Sequence, residues 1–406
     1  MLAFLHRNFR WIAGGFVLTF FSSFGQTYFI SASVAEWQEA FSLTQGQFGR
    51  LYMGATLASA CCLPFIGRLV DVVAPRLAIA LVMPLLACAT LMAGFANSVL
   101  MLALSIFLLR LLGQGMMTHI ALTTTGRWFM AGRGRAVSMV VLGHQAGEAS
   151  IPLVFATLTL AFGYQWGWVA ASVALVVVGF PLAYWAYRWP RAPQSSHADD
   201  PGSRQPPRSW TRAEVLGDSV FWILLTGVLA PAFIGTTIFY HQDYLTTIHQ
   251  WPAKLYATAL IPMAATTVCM ALVVGGIIDK LGAVRVLPVF LLPLATACFA
   301  LSMAGPQWSL FLVMVLLGIS YGVSSTLLGS LWPEVYGAEN LGAIRSVIVA
   351  AMVLSTAAGP GITGTLLDWG IALSTQMVWL GVYCLIATMA MILAARKLRL
   401  RQLSET

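Results

Sequence analysis

Twelve times along this chain, about twenty residues pass with almost no charge, and each run is closed off by charged residues, proline or glycine. A helix of that length crosses the hydrocarbon core of a bilayer, which is roughly 30 Å thick. The runs lie near 10–34, 46–67, 77–96, 99–121, 135–161 and 166–187, then 217–242, 253–276, 284–304, 308–331, 343–367 and 374–395, and are called spans 1–12 below. Every backbone polar group in lipid needs an internal partner, so the runs predict helices and an all-α integral membrane protein. Composition agrees: 59% of residues are hydrophobic and 9% charged, with mean hydropathy +0.82. Soluble domains carry roughly 25% charged residues. The first run follows Arg7 and Arg10 as a secretory signal would, and SASVA at 31–35 resembles a cleavage site. Its length, and the runs that follow, favour a first membrane span over a cleaved peptide.

The net charge of +8 is explained by orientation. With the N-terminus in the cytoplasm, 19 of the 22 basic residues fall on the cytoplasmic side. Arg50 and Lys254 fall outside and Arg110 lies within span 4. One miscounted span would destroy that asymmetry, so the positive-inside rule supports both the count and cytoplasmic N- and C-termini. The same distribution argues against a nucleic-acid partner. Tryptophans near span ends (Trp11, Trp37, Trp128, Trp166, Trp168, Trp189, Trp251, Trp308, Trp332 and Trp369) are expected to anchor at the membrane interfaces. The six cysteines lie in apolar runs without CxxC or histidine partners, so neither a metal nor a disulfide framework is expected.

The longest polar stretch, 188–215, holds five prolines and two adjacent aspartates and reads as a cytoplasmic linker. Three parts follow: an N-terminal six-helix bundle over 1–187, the linker over 188–215, and a C-terminal six-helix bundle over 216–406. Thr211 with Glu214 three residues on predicts a capping box and a short surface helix. The halves echo one another. Gly67 and Asp71, between spans 2 and 3, recur 208 residues later as Gly275 and Asp279, between spans 8 and 9; Arg135 and Arg345, opening spans 5 and 11, are 210 apart. Such internal repeats are common in transporters whose substrate site lies near the midplane.

The loop Gly275-x-x-x-Asp279-Lys280-x-Gly282-x-x-Arg285 resembles the signature loop of the major facilitator superfamily, and Gly67-x-x-x-Asp71 followed by Arg76 is a looser copy. RLLGQG (110–115) is similar to that family's fourth-span motif. The resemblance extends through the twelve spans, the linker and the repeat. It implies two pseudo-symmetric six-helix bundles, alternating access, and a central cavity lined by spans 1, 4, 7 and 10. It also implies a cytoplasmic latch at Gly67, Asp71, Arg76, Gly275, Asp279, Lys280, Arg285, Arg135 and Arg345. In the physical version of that latch, acidic residues at helix ends pair with nearby bases or helix N-termini when the cytoplasmic side is shut. In the plainer version they mark topology.

Charged groups inside a membrane are functional candidates by default. Arg110 and Gln114 share a face of span 4, and His144 and Glu148 share a face of span 5, each pair at i,i+4 spacing. Glu148 is the expected counter-ion of Arg110, either as a static tie between spans 4 and 5 or as a proton-coupling group with His144. Aligning Gly115 with Gly322 puts Leu317 opposite Arg110, so the repeat itself does not demand a charge there. Gln26 and Tyr28 in span 1, Tyr240 and His241 at the end of span 7, and Tyr321 and Ser325 in span 10 complete a candidate substrate site. Gly143-x-x-x-Gly147 and GPGITG (359–364) are small-residue packing motifs expected to let the halves rock.

No P-loop pattern occurs, which favours a secondary transporter without cofactor over an ATP-driven one. Neither a nucleophile–base pair nor a metal cluster suggests an enzyme. In the family's drug–proton antiporters Gly-Pro follows the fifth-span GxxxG, whereas here Glu148 follows Gly147. In its monocarboxylate porters an arginine sits in the eighth span, and span 8 here has none, although SLWPEVYG at the end of span 10 looks like that branch. The favoured reading is a monomeric, proton-coupled transporter of a small organic anion of carboxylate type in the inner membrane. Efflux of drugs or amphipathic compounds is the alternative. A transporter-like sensor or receptor is the remote one, because neither the linker nor the C-terminal tail is large enough for a signalling domain.

Overall fold

The computed structural model describes residues 2–67, 70, 73–129, 133–189, 210–337 and 340–404. Asp71 and the side chains of Arg135 and Asp279 lie outside the described residues. The described residues form helices and turns. Nine helices among them are long and apolar enough to cross a membrane, and they correspond to spans 3–8 and 10–12. The other three expected spans each carry a helix: Leu2–Phe21, Gln45–Ile66 and Leu292–Ser302. Span 9 is helical over a shorter stretch than its hydropathy suggests. Pro288 and Pro293 remove two backbone donors, and the chain runs through i→i+3 turns (Val289 to Val286, Leu292 to Val289) before the helix begins.

Local signals set several helix starts. Thr44 and Gln47 form a reciprocal capping box ahead of Gln45–Ile66, at 3.1 and 2.9 Å. Ser98 accepts from Met101 N–H ahead of Val99–Leu108. The capping box expected at Thr211 and Glu214 forms, and it opens the short helix Arg212–Gly217.

The chain divides into two compact units, one of Met1–Asp199 with Phe239–Ile261, the other of Asp200–Ile238 with Pro262–Thr406. In the first, the long helix Arg133–Phe162 packs along Leu2–Phe21. Gly143 lies against Phe16 and Thr19, and Gly147 against Ser23, where any side chain would overlap. Thr19 Oγ1 donates to Val140 O at 2.6 Å across the same seam. In the second unit Gly359 lies against Phe233 and Thr237. Both glycine motifs therefore pack helices closely inside a unit, span 5 on span 1 and span 11 on span 7, a different use from the rocking surface expected of them.

The tryptophans split. Trp166, Trp189, Trp308 and Trp369 are exposed, as interface anchors should be, while Trp37, Trp168 and Trp332 are core residues. Trp37 Nε1 donates to Ala93 O and Trp168 Nε1 to Ser33 Oγ, so these rings knit the end of the first unit together instead of facing lipid.

Candidate functional site

Two of the first unit's helices lose regular geometry at the same depth. Span 1 is α-helical to Phe21, passes through a 3-10 turn at Ser22–Gly25, becomes extended at Gln26 (ψ 153°), and resumes as the short helix Thr27–Ile30. Span 4 changes from α-helix (Val99–Leu108) to π-helix over Leu109–Met117, then back over Thr118–Trp128. The irregular stretches touch. Gly25 rests on the Leu109 carbonyl and the Gln114 N–H, and a methyl on Gly113 would lie 2.8 Å from Gly25 Cα. Backbone of this kind is tolerated at membrane depth where freed polar groups find partners in protein or a cavity, and π segments are frequent at functional sites.

Arg110 stands on the π segment and uses what the break in span 1 releases. It is 3% exposed. Its Nη1 donates to Gly25 O at 3.3 Å and Thr27 Oγ1 at 3.2 Å, and the guanidinium carbon lies 5.7 Å from the Tyr52 ring centroid. Tyr52 in turn donates its hydroxyl to Thr27 Oγ1 at 2.8 Å. Arg110 Nε is buried without a hydrogen-bond partner. Tyr240 stacks at a tilt on Tyr52, 5.1 Å between centroids, and His241 packs edge-on against Tyr240. Around one cation the unit thus gathers a carbonyl, two hydroxyls and an aromatic face, all formally neutral.

The expected Arg110–Glu148 pair does not form. Glu148 is 5% exposed on span 5, next to the glycine that packs on Ser23, and makes no side-chain hydrogen bond or ion pair among the described residues. The reason is local: the carbonyl and hydroxyl offered by the broken span 1 already hold the guanidinium. Around Glu148 lie Tyr28, which donates to Ser23 Oγ at 3.0 Å, and His144, whose ring is 6.2 Å from that of Tyr28. Gln26 and Gln114 are partly buried at the junction of the irregular segments. Tyr321 and Ser325 belong to the second unit, where their hydroxyls donate to Pro231 O (3.4 Å) and Gly322 O (3.0 Å).

At the loop after span 8, Gly282 ends helix Ala253–Leu281 with φ +84°, a conformation that suits glycine. Glu334, in the SLWPEVYG stretch, then accepts from Ala283 N–H at 2.6 Å and Val284 N–H at 3.4 Å, capping the turn that carries Arg285. Lys280, Arg285, Arg76 and Arg345 are exposed, Gly275 is partly buried, and Gly67 is buried and continues the preceding helix by donating to Leu63 O. Sequence reasoning missed Thr27, Tyr52 and Glu334. Tyr52, a hydroxyl-bearing aromatic inside an otherwise apolar run, carried the one signal that could have drawn attention.

The Major Facilitator Superfamily model matches residues 15–360. No curated protein matches the sequence. Among solved structures, a bacterial homolog to the human lysosomal transporter Spinster, inward-facing and occupied, superposes with TM-score 0.73 at 18% identity, covering 97% of this chain and 97% of that one. The same protein, inward-facing and unoccupied, gives 0.71 at 17% identity over 95% and 96%. A point mutant of the nucleoside transporter NupG gives 0.71 at 13% identity, covering 95% of this chain and 99% of that one. Matched over most of its length, and sharing the fold of these transporters, the chain belongs to the major facilitator superfamily.

Proposed function

We propose that this multi-pass transporter moves a small organic anion of carboxylate type across the inner membrane by alternating access, coupled to protons, with both termini cytoplasmic. One observation carries the reading: Arg110 is a fully buried cation whose partners are all neutral, with one N–H unused. An arginine keeps its charge under any physiological condition, and an ion left without a counter-charge in low dielectric is costly. A substrate carboxylate supplies that charge and meets the planar guanidinium in the two-pronged geometry it favours. Gln26, Gln114, Tyr28, Tyr240 and His241 are the proposed further contacts. Glu148 and His144 are the proposed proton carriers: Glu148 is free of Arg110, so its occupancy can respond to protons instead of being fixed by an ion pair.

The test is uptake of labelled mono- and dicarboxylates into proteoliposomes with and without a pH gradient, beside ligand-induced shifts in Tm, for the wild type, Arg110→Lys and Arg110→Gln. The reading expects stabilisation by anions, since ligands that bind the folded state raise its apparent stability. That stabilisation should weaken in the lysine variant and vanish in the glutamine one. Stabilisation by bulky cations or neutral amphiphiles, indifferent to Arg110→Gln, refutes it. The second reading, export of amphipathic compounds, is favoured by one feature: a cavity of about 220 Å³ in the first unit, walled by Phe20, Phe21, Phe24, Phe29 and Phe155, beside the break in span 1.

A further inference from the structure

The segment after span 7 carries an acidic group that this reading leaves unused. Residues 239–261 pack into the first unit although they follow span 7 in sequence. The contacts repeat the internal offset of the chain: Ser31 Oγ donates to Phe239 O at 2.6 Å, and Ala35 N–H donates to Asp243 Oδ2 at 3.4 Å, both between residues 208 apart. Gln242 Nε2 adds bonds to Ser31 Oγ at 2.9 Å and Tyr28 O at 3.3 Å. Helix Val34–Phe41 has no cap from its own Ser33, and Asp243 stands in that place, accepting from the first N–H groups of the helix. An acceptor at a helix N-terminus satisfies an otherwise orphaned N–H, so Asp243 helps hold the segment against the first unit.

The same helix makes that hold dependent on protons. Glu36, in its first turn, lines with Asp243 a cavity of about 140 Å³ that also meets Thr159, Gln242 and Thr246. Glu36 Oε2 is buried without a hydrogen-bond partner. Among the described residues no basic side chain pairs with either carboxylate. Glu39 on the same helix and Tyr164 opening span 6 lie near Glu36, Tyr240 at the end of span 7 lies near Asp243, and Tyr256 at the start of span 8 lines the same cavity. None of them supplies a counter-ion to the pair. Two carboxylates confined together cannot both ionise cheaply.

We propose that Glu36 and Asp243 form a proton-operated latch at the outer end of the first unit, holding segment 239–261 in place when the pair carries a proton and loosening it when both are ionised. Burial first, then the charge of Glu36, pushes Asp243 up to about 7, against the pull of the Ala35 and Val34 N–H groups; burial also raises Glu36. The sign follows. A carboxyl raised in the latched state is stabilised there by protonation, so the latch is strong below the ordinary carboxylate range of about 4 and weakens as pH rises to about 7.

The experiment is a spin-label distance measurement on the full chain in nanodiscs, with Ala40→Cys and Thr247→Cys in a background lacking the six native cysteines. It is run from about pH 5 to about pH 8.5, across the upper part of the window and past its end. The expected result is a short-distance population that falls as pH rises, with Asp243→Asn holding it at its acid level throughout and Glu36→Gln moving the midpoint to lower pH. A distance distribution indifferent to pH in the wild type overturns the proposal. So does a pH response that survives in both variants, or one lost in Glu148→Gln and kept in Asp243→Asn, which would assign the proton to span 5. Because no substrate is added, failure here leaves the anion reading standing, and failure of the anion panel leaves the latch standing.

Discussion

Removing Arg401 should unfasten one end of the second unit by an amount the geometry lets us bound. Asp218 precedes helix Ser219–Tyr240 and accepts from Val220 N–H at 3.1 Å. Arg401, on the last helix, reaches both its oxygens at 2.7 and 2.8 Å, and Tyr336 donates to it at 3.1 Å. The side chains are 4% exposed for Asp218 and 31% for Arg401. Breaking a buried pair costs about 3–5 kcal/mol and an exposed one about 0–1 kcal/mol. A buried acid with a partly exposed base lies between, so Arg401→Ala should cost about 2 kcal/mol, or roughly 4–8 °C in Tm for a unit of this size. Asp218→Asn keeps a good cap and leaves no buried charge, so it should cost less, and the double variant should be more stable than Arg401→Ala alone. The bonds from Arg401, outweighing burial, hold the Asp218 carboxyl below its ordinary value. This contribution is therefore intact above about pH 4 and lost as pH falls further, through the native value. Thermal unfolding of the four proteins in one detergent tests it. Strict additivity of the two single variants, or an Arg401→Ala protein melting with the wild type, would refute the argument.

Two further predictions concern glycines. Gly113→Ala drives a methyl onto Gly25 Cα at 2.8 Å and should cost about 2–3 kcal/mol, in the range for overpacking, with transport lost before folded yield; Gly54→Ala, where nothing lies within 4 Å, should be silent in both assays. Gly282→Ala strains a residue at φ +84° and brings a methyl 3.0 Å from Glu334 Oε1. Glu334→Gln keeps an acceptor, so it should lower Tm by less than Glu334→Ala, which strips two charge-assisted bonds worth about 1.5–3 kcal/mol each. Tm values for both Glu334 variants equal to that of the wild type would show that the cap contributes nothing.

Much of the fold was legible because bilayer thickness and backbone hydrogen bonding act on composition alone. Runs of twenty apolar residues and the capping box at Thr211 needed no knowledge of tertiary contacts. Span 9 was overestimated because hydropathy does not register what Pro288 and Pro293 do to the backbone. The site was half legible. Arg110 announced itself as a charge in lipid, but its partners Gly25 O and Thr27 exist as partners only because span 1 breaks at Gln26, and no period or propensity in SSFGQTY forecasts that break. Trp37, Trp168 and Trp332 were misread for a related reason: position along a span indicates depth in the membrane and says nothing about which neighbour covers the ring.

The internal repeat provides its own control for what the irregular backbone is for. Spans 1 and 4 are interrupted where they touch in the first unit, and span 6 carries a separate π segment at Leu175–Gly179. The counterparts of spans 1 and 4 in the second half of the sequence, Ser219–Tyr240 and Trp308–Tyr336, run as unbroken α-helices of 22 and 29 residues, and Leu317, the counterpart of Arg110, is a buried core residue. The fold is therefore satisfied by regular helices at these positions. A broken helix and a π segment leave backbone groups to be re-paired, and local rules abandoned at one place in a repeat mark where function has overridden them. The break and the charge explain each other: the freed Gly25 carbonyl and the reoriented Thr27 hydroxyl make Arg110 bearable without an acid beside it. An acid in that place would have cancelled the field that an anionic substrate is proposed to meet.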